Sequence, residues 1–366
     1  MADAAYTIPP LWCPIEPAIN PAWRAADRGT AEFARRFGLP RDPQLVKVKP
    51  EKLRIGELAG RFAPAADLKG LQLLSDVAYW TFIIDDDTDP SPQSNDAQPK
   101  APDLADLCGF LSRIQRAFDT PAAMPLPDGP ESGSGHLAAA RDLRRRMEER
   151  TSDQQVGRWA ASVRITFFVC LHEAAYQKRG RFPSLDEYFV RGIGSSLLQI
   201  FTNVMAVIDG PTVAPDDLER PEVRALTELT CLIARIDNDL YSYGRDLDGD
   251  IESSLVATLA REVGSFDAGL AQTVGTHDLL VGRFLKLRDR VLTTARPELR
   301  AYLLNLTALI RGHLDWASDL MRNRSDFSYF QRKTRVRWPV VFADAPSGHP
   351  HPPLTALPSV AWWWEV

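Results

Sequence analysis

Cysteine is scarce in this chain, and its spacing supports neither a zinc site nor a disulfide scaffold. The four cysteines, Cys13, Cys108, Cys170 and Cys231, are scattered through 366 residues and include no Cys-x-x-Cys pair. Zinc knuckles and disulfide frameworks need closer, recurring spacings. The N-terminal stretch also lacks the basic region followed by an apolar run that marks a signal peptide. We therefore expect a cytoplasmic protein with reduced cysteines.

Long apolar runs and blocks of basic charge are missing as well. No apolar stretch reaches the roughly 18 residues that a membrane helix needs, so we expect no membrane span. Lys and Arg total 43 against 48 Asp and Glu, a formal net charge of -5, which argues against nucleic acid as a partner. The sequence contains no His-Glu-x-x-His, Gly-x-Ser-x-Gly, phosphate-binding loop or dinucleotide fingerprint, so the enzyme classes that use them are not supported.

Alternation of apolar and polar residues, the pattern of half-buried strands, is absent too, and apolar residues instead recur every three or four positions. We predict one all-α domain over residues 1–340, built from about ten helices. An elaborated loop region at about 90–136 interrupts it, and a Pro-rich tail, 341–366, ends in a Trp cluster. The longer predicted helices cover about 23–38, 104–118, 137–178, 185–207, 219–245, 251–263, 266–294 and 297–323.

Four carboxylates end one of these apolar helices abruptly, at Asp85, Asp86, Asp87 and Asp89. If the helix continues, Asp85 and Asp89 lie at i and i+4, about one turn apart on one face. Clustered carboxylates repel each other, so we expect a cation to collect them, and oxygen ligands favour Mg²⁺ or Mn²⁺ over zinc. A solvated acidic helix end is the alternative that these residues leave open.

A second polar stripe ends another predicted helix. Asn238, Ser242 and Asp246 are spaced i, i+4 and i+8, and they stay on one stripe because they drift only about 80° in total. Amide, hydroxyl and carboxylate oxygens together suit a hard cation, and Arg245 can reach an anion bound to that cation. Taken alone, the pattern also fits an exposed polar stripe. Taken with the Asp-rich stretch, it suggests several Mg²⁺ at one cavity mouth and a strongly anionic ligand such as diphosphate.

These two motifs, in this order and about 150 residues apart, resemble those of class I terpene synthases (terpene cyclases), especially the microbial single-domain type. The family motif D-D-x-x-D matches Asp85 to Asp89. The family motif N-D-x-x-S-x-x-x-E matches Asn238 to Asp246, with Asp in place of the final Glu. The resemblance covers most of residues 7–330 and leaves out the loop region and the tail.

Further positions resemble the family less completely. Arg191, 47 residues before the second metal motif, resembles the diphosphate-sensing arginine, with Gly194 and Ser195 in the linker and effector positions. Arg245 stands where the family has a basic residue before the last ligand. Arg324 is the candidate for the arginine of an Arg-Tyr pair near the C-terminus, although the tyrosine is absent.

The resemblance implies a helical bundle with a central active-site cavity, three Mg²⁺ ions at its mouth and a linear prenyl diphosphate as substrate. It implies Asp85, Asp89, Asn238, Ser242 and Asp246 as metal ligands, Asp85, Asp86, Arg191 and Ser195 as catalytic residues, and Arg191, Arg245 and Arg324 as diphosphate ligands. Aromatic faces stabilise carbocations without reacting with them. The candidates for an aromatic cavity wall, each of which also fits an ordinary core position, are Trp80, Phe82, Phe167, Phe168, Phe201 and Trp316.

The expected reaction is ionisation of the prenyl diphosphate and cyclisation of the carbocation to a terpene hydrocarbon or alcohol, with farnesyl diphosphate favoured. A chain-elongating prenyl diphosphate synthase would need a second Asp-rich motif, which the Asn/Ser/Asp stripe does not supply. A diterpene synthase acting on geranylgeranyl diphosphate and a catalytically silent helical prenyl-diphosphate-binding protein stay open as alternatives. Both a monomer and a homodimer are compatible with the sequence.

Overall fold

The structure is a computed structural model that describes residues 6–40, 50–88, 103–126, 134–210, 212–248, 253–323, 336–337 and 342–366. Fourteen α-helices lie in these residues, and no strand there is longer than two residues. The predicted all-α class is therefore confirmed. The helices are α1 (Trp23–Phe37), α2 (Pro50–Leu53), α3 (Ile55–Phe62), α4 (Leu68–Thr88), α5 (Leu104–Asp119), α6 (Gly135–Glu148), α7 (Asp153–Lys178), α8 (Leu185–Ser195), α9 (Leu198–Ile208), α10 (Pro215–Glu219), α11 (Pro221–Asp248), α12 (Leu255–Val263), α13 (Phe266–Leu292) and α14 (Pro297–Asn323).

Short strand pairs join segments that are far apart in the sequence. Strand β1 (Tyr6–Thr7) pairs in parallel with β3 (Val336–Arg337), and β2 (Leu11–Trp12) pairs in parallel with β4 (Phe342–Ala343). Each pair is too short to form a sheet with its own core. Within the described ranges, none of the helices is both long enough and apolar enough to cross a membrane.

The chain forms two compact units whose segments alternate along the sequence. The first unit comprises Met1–Ala18, Arg181–Ser196 and Asp216–Val366. The second unit comprises Ile19–Gly180 and Leu197–Pro215. The Asp-rich motif belongs to the second unit, and the Asn/Ser/Asp motif belongs to the first.

The second unit is organised around α4, which packs against α1, α3, α6 and α9. The ring of Phe118 meets the rings of Trp80 and Trp159 edge to face, with both centroid distances 5.0 Å. Such aromatic pairs contribute about 0.5–1.5 kcal/mol each beyond the burial of their surface. Helices α3 and α1 approach closely because Gly56 has no side chain, since a Cβ there would lie 2.3 Å from the Asp27 backbone nitrogen. This packing surrounds the apolar part of α4 before its acidic end.

The first unit is organised around α11, which packs against α8, α12, α13 and α14. Leu226, Leu229, Ile233 and Ile236 are fully buried along this helix. Their spacing of three or four residues keeps them on one side of the helix, as the sequence pattern predicts. The buried stripe anchors α11 in the core and sets the direction in which its polar stripe points.

Two predicted helices are each divided in the structure, so the prediction of single helices was wrong at these places. The predicted helix 137–178 is divided into α6 and α7, because Ser152 precedes α7 and its Oγ accepts a hydrogen bond from the Gln155 backbone N–H (3.4 Å). The predicted helix 185–207 is divided into α8 and α9, because Leu197 has a left-handed backbone conformation with φ of 62°. A left-handed residue cannot continue a right-handed helix.

The tail is tied to three helices of the first unit. Trp363 is fully buried, and its indole N–H donates to the Glu228 carboxylate on α11 at 2.9 Å. Arg283 on α13 donates from Nε to the Trp363 carbonyl oxygen at 2.8 Å. Ser359 Oγ donates to the Asp186 carboxylate in the first turn of α8 at 2.6 Å. The tail therefore contacts the helix of the second motif, the helix of Arg191 and the helix beside them.

Candidate active site

The Asp-rich motif occupies the C-terminal end of α4. The helix runs to Thr88, so the helical geometry assumed for the start of the motif is present in the structure. Two buried isoleucines precede the motif, and the side chain of Asp85 itself is half-buried. The side chain of Asp86 and the whole of Asp89 lie outside the described residues. The metal and catalytic roles of these aspartates stay predictions.

The second motif lies on one continuous helix, because α11 extends from Pro221 to Asp248. Asn238 is half-buried and Ser242 is buried, and Ser242 Oγ lies 3.4 Å from Asn238 Oδ1. Octahedral Mg²⁺ with bonds of about 2.1 Å places neighbouring ligand oxygens about 3 Å apart. These two oxygens therefore fit adjacent positions around one hard divalent ion after a small adjustment. The side chains of Arg245 and Asp246 lie outside the described residues.

Arg191 lies on α8, which packs directly on α11. Its side chain is buried, with 5% of the residue exposed. The next residue, Gly192, permits the close approach of the two helices, since a Cβ there would lie 2.6 Å from Leu232 Cδ2 on α11. Ser184 and Glu187 form a capping box at the start of α8, which fixes where the helix begins. Ser195 is the last residue of α8, two residues before the left-handed Leu197.

Asp239 joins three helices and was not singled out by the sequence. It is 1% exposed, and its Oδ2 accepts hydrogen bonds from Tyr188 Oη on α8 and from the Leu255 backbone N–H at the start of α12, both at 2.7 Å. Its Oδ1 forms an ion pair with Arg235 Nε at 2.9 Å. Burial first and the Asp239 charge second raise the pKa of Tyr188 well above its ordinary value, so Tyr188 stays a protonated donor. The sequence does contain a signal for this buried role, because Asp239 falls on the apolar side of the helix that became α11.

A second buried cluster lies on the other side of Asn238. His277 on α13 is fully buried between two carboxylates, with Nε2 3.3 Å from Asp237 Oδ1 and Nδ1 3.2 Å from Asp278 Oδ1. Burial lowers the pKa of His277, but Asp237 and Asp278 raise it by more, so the net shift is upward. Burial raises the pKa of Asp278, but hydrogen bonds from His277 and Ser347 reverse this, so the net shift is downward. The two carboxylates therefore favour the protonated form of His277.

The predicted aromatic wall residues have different surroundings. Trp80, Phe167, Phe201 and Trp316 are buried, Phe82 is half-buried, and Phe168 is 70% exposed. Trp80 belongs to the aromatic core of the second unit described above. Trp316 stacks on His313 with a centroid distance of 6.4 Å, and His313 Nε2 lies 2.7 Å from Tyr241 Oη on α11. A role in a cavity wall stays a prediction for all six residues, and Arg324 lies outside the described residues.

Comparison with known proteins places these features in a family. The family model described as terpene synthase family 2, C-terminal metal binding, matches residues 76–277. The chain is 31% identical to (+)-(1(10)E,4E,6S,7R)-germacradien-6-ol synthase of Streptomyces pratensis, over 99% of this chain and 98% of that protein. It is 27% identical to (+)-T-muurolol synthase ((2E,6E)-farnesyl diphosphate cyclizing) of Streptomyces clavuligerus, over 97% of this chain and 82% of that protein.

A solved structure agrees over almost the whole chain. A mutant of the SVS_A2 protein from ancestral sequence reconstruction superposes with a TM-score of 0.80 and 29% identity, over 98% of each chain. The class defined by the fold and by the metal-binding family model is that of the microbial class I terpene synthases. This chain belongs to terpene synthase family 2 and is a terpene cyclase of the lyase type. The match to this family model implies divalent metal binding.

Proposed function

We propose that the protein ionises farnesyl diphosphate with Mg²⁺ and closes the carbocation into a terpene hydrocarbon or alcohol, releasing diphosphate. The observation that carries this proposal is the pair of oxygens, Asn238 Oδ1 and Ser242 Oγ, 3.4 Å apart on α11. Their chemistry and separation suit a hard cation that binds the diphosphate. The neighbouring helix α8 carries Arg191, whose positive charge suits the same diphosphate. The family resemblance implies three ions, for which Mn²⁺ is a possible substitute.

The proposed roles divide between metal binding and recognition of the diphosphate. When bound, Mg²⁺ would supply Lewis-acid stabilisation of the diphosphate leaving group. The proposed arginine ligands donate hydrogen bonds to the diphosphate oxygens and stabilise the negative charge that develops on them. The proposed metal ligands are Asp85, Asp89, Asn238, Ser242 and Asp246, the proposed diphosphate ligands are Arg191, Arg245 and Arg324, and Asp86 and Ser195 are proposed to assist catalysis.

The carbocation requires surroundings that neither hydrate it nor react with it. Water would quench the cation, so the proposed pocket excludes solvent once the diphosphate has bound. Aromatic side chains such as Phe167 and Trp316 are proposed to stabilise the positive charge through their ring faces. Farnesyl diphosphate is preferred as substrate because the name of the Streptomyces clavuligerus relative specifies it. Geranylgeranyl diphosphate is the second candidate.

The test is analysis of products by gas chromatography with mass detection. The purified protein receives geranyl, farnesyl and geranylgeranyl diphosphates separately, each with Mg²⁺ and with EDTA. The expected result is a cyclic product from farnesyl diphosphate that disappears with EDTA. A cyclic product from geranylgeranyl diphosphate alone would assign a diterpene synthase. No product from any of the three, with a folded protein, would overturn the proposed activity in favour of a silent binding protein.

A further inference from the structure

The two consecutive residues Asn238 and Asp239 serve different sides of α11. Successive side chains on a helix diverge by about 100°, so they cannot point to the same place. Asn238 joins Ser242 on the polar stripe, whereas Asp239 is directed into the protein, where it is 1% exposed. The groups that hold Asp239 therefore also fix the rotation of the helix that presents the proposed metal ligands.

Tyr188 makes the corresponding connection on α8. It is 1% exposed, and its hydroxyl donates to Asp239 Oδ2 at 2.7 Å. Tyr188 and Arg191 are spaced i and i+3, so they are neighbours on one face of α8. A shift of Tyr188 along or around α8 would carry Arg191 with it, because both belong to the same rigid helix.

The start of α12 completes the arrangement from a third direction. The Leu255 backbone N–H donates to the oxygen of Asp239 that Tyr188 also contacts, at 2.7 Å. The first N–H groups of a helix have no partner inside the helix and favour a negative charge beside them. The start of α12 therefore fixes the position of the Asp239 carboxylate. The carboxylate in turn fixes the position of the Tyr188 hydroxyl. The close contact of Gly192 with Leu232, one residue beyond Arg191, keeps the two helices in register.

We propose that Tyr188 and Asp239 are positioning residues, whose hydrogen bond holds the Arg191 face of α8 against the helix of Asn238 and Ser242. Their contribution is to hold Arg191 at a fixed separation from the metal ligands of α11, so that Arg191 reaches the diphosphate those ligands bind. The inference rests on the proposed function, since it assumes that Arg191 binds the diphosphate. The proposal gives a role to Asp239, the aspartate of the second motif that is not a proposed metal ligand.

The alternative is that the hydrogen bond only stabilises the fold. Both explanations predict a lower melting temperature for Tyr188→Phe, so stability alone does not separate them. They differ in how Tyr188→Phe and Arg191→Ala combine. A positioning residue acts through Arg191, so its loss changes nothing further once Arg191 is gone, whereas an independent structural effect persists in that background.

The experiment measures binding of inorganic diphosphate in the presence of Mg²⁺ by isothermal titration calorimetry. The proteins are the parent, Tyr188→Phe, Arg191→Ala and the double variant, and kcat and KM are measured on the substrate that the parent converts. We expect Tyr188→Phe to weaken diphosphate binding about 10-fold, the lower end of the loss seen when a hydrogen-bond partner that orients a metal ligand is removed. In the Arg191→Ala background, we expect Tyr188→Phe to cause no further loss.

Tyr302→Phe is the matched control, because Tyr302 is 3% exposed and its hydroxyl bonds to Thr227 Oγ1 between α14 and α11 at 2.8 Å. Tyr302→Phe should lower the melting temperature about as much as Tyr188→Phe does and leave diphosphate binding unchanged. Asp239→Asn, a second route to the same effect, should weaken binding as Tyr188→Phe does.

Unchanged binding in Tyr188→Phe, an equal loss in the Arg191→Ala background, or an equal loss in Tyr302→Phe would each overturn the positioning role alone. A parent that binds no diphosphate with Mg²⁺ would overturn the proposed function, and the positioning role with it. The two failures are therefore distinguishable from the same set of titrations.

Discussion

The amide of Asn238 is directed to Ser242 on the polar stripe of α11, and this makes its role directly testable. We predict that Asn238→Ala lowers kcat by at least about 100-fold, the loss seen when one group that stabilises developing charge is removed. Asp85→Ala should behave in the same way. Steady-state kinetics with Mg²⁺ and circular dichroism measure activity and fold together.

The control for that prediction is Ser162→Ala on α7. Ser162 is 4% exposed and donates to the Trp159 carbonyl oxygen within its own helix at 2.6 Å, so its removal deletes a buried hydroxyl whose hydrogen bond involves neither motif. It should retain activity close to that of the parent. Near-normal activity in purified Asn238→Ala or Asp85→Ala would remove the metal assignment of the residue concerned.

Burial of Glu228 disfavours the charged form of its carboxylate. Burial raises its pKa above the ordinary value of 4.5, and the Trp363 N–H and Arg224 only partly offset this. A carboxyl with a raised pKa binds its proton more tightly in the folded state, so its contribution to stability is present below its ordinary pKa. The contribution is lost as the pH rises through the raised value.

From this sign we predict that Glu228→Gln becomes more stable relative to the parent as the pH rises from about 4 to about 7. The glutamine retains a carbonyl oxygen for the Trp363 N–H but does not titrate. The measurement is the difference in melting temperature between variant and parent across this pH range. A difference that stays constant or falls with pH would contradict the assignment of Glu228.

At the scale of elements, the tail contributes a core residue to the helices that carry the candidate site. We predict that Trp363→Ala lowers the free energy of unfolding by about 3–5 kcal/mol, as expected for truncation of a buried tryptophan. Trp362→Ala is the matched control, because Trp362 is only half-buried and its ring lies 5.9 Å from the Arg224 guanidinium. Urea unfolding should give a smaller loss for Trp362→Ala, and equal losses would contradict the core role of Trp363.

Helices with a strong apolar period were predictable from the sequence, and those bounded by local or distant interactions were less so. The pattern predicted α13 and α14 to within a few residues, because their periodicity is regular and Pro297 marks the second start. The division before Asp153 had a usable signal in the capping residue Ser152, which the apolar period concealed. The break at Leu197 had none, because leucine rarely adopts a left-handed conformation.

The candidate site shows the same limit. Spacing along one helix identified Asn238 and Ser242 as neighbours, and their side chains are in contact in the structure. Spacing could not identify the bond between Tyr188 and Asp239, which are 51 residues apart, because a periodic pattern reports the face of a residue and not its partner. The embedding of the tail was missed for the same reason, since its partners lie on α8, α11 and α13.

At the scale of the whole molecule, ligand binding should be visible as a change in stability. We predict that Mg²⁺ and inorganic diphosphate together raise the melting temperature. At a ligand concentration 100 times the dissociation constant, binding stabilises the folded state by about 2.7 kcal/mol. Thermal unfolding with each component alone, with both, and with EDTA tests this. Asn238→Ala should show a reduced shift. An equal shift with diphosphate in EDTA would show that binding does not need the metal.

The division of the first unit into three sequence segments has a consequence for protein synthesis. Most of the second unit is encoded by one stretch, 19–180, and its helices α1 to α7 leave the ribosome early. The core of the first unit includes Trp363, which follows the end of α14 by 40 residues and emerges after all of its partner helices. Domains generally fold as units as they are synthesised. We therefore expect the unit that carries the Asn/Ser/Asp motif to be the later of the two to complete its core.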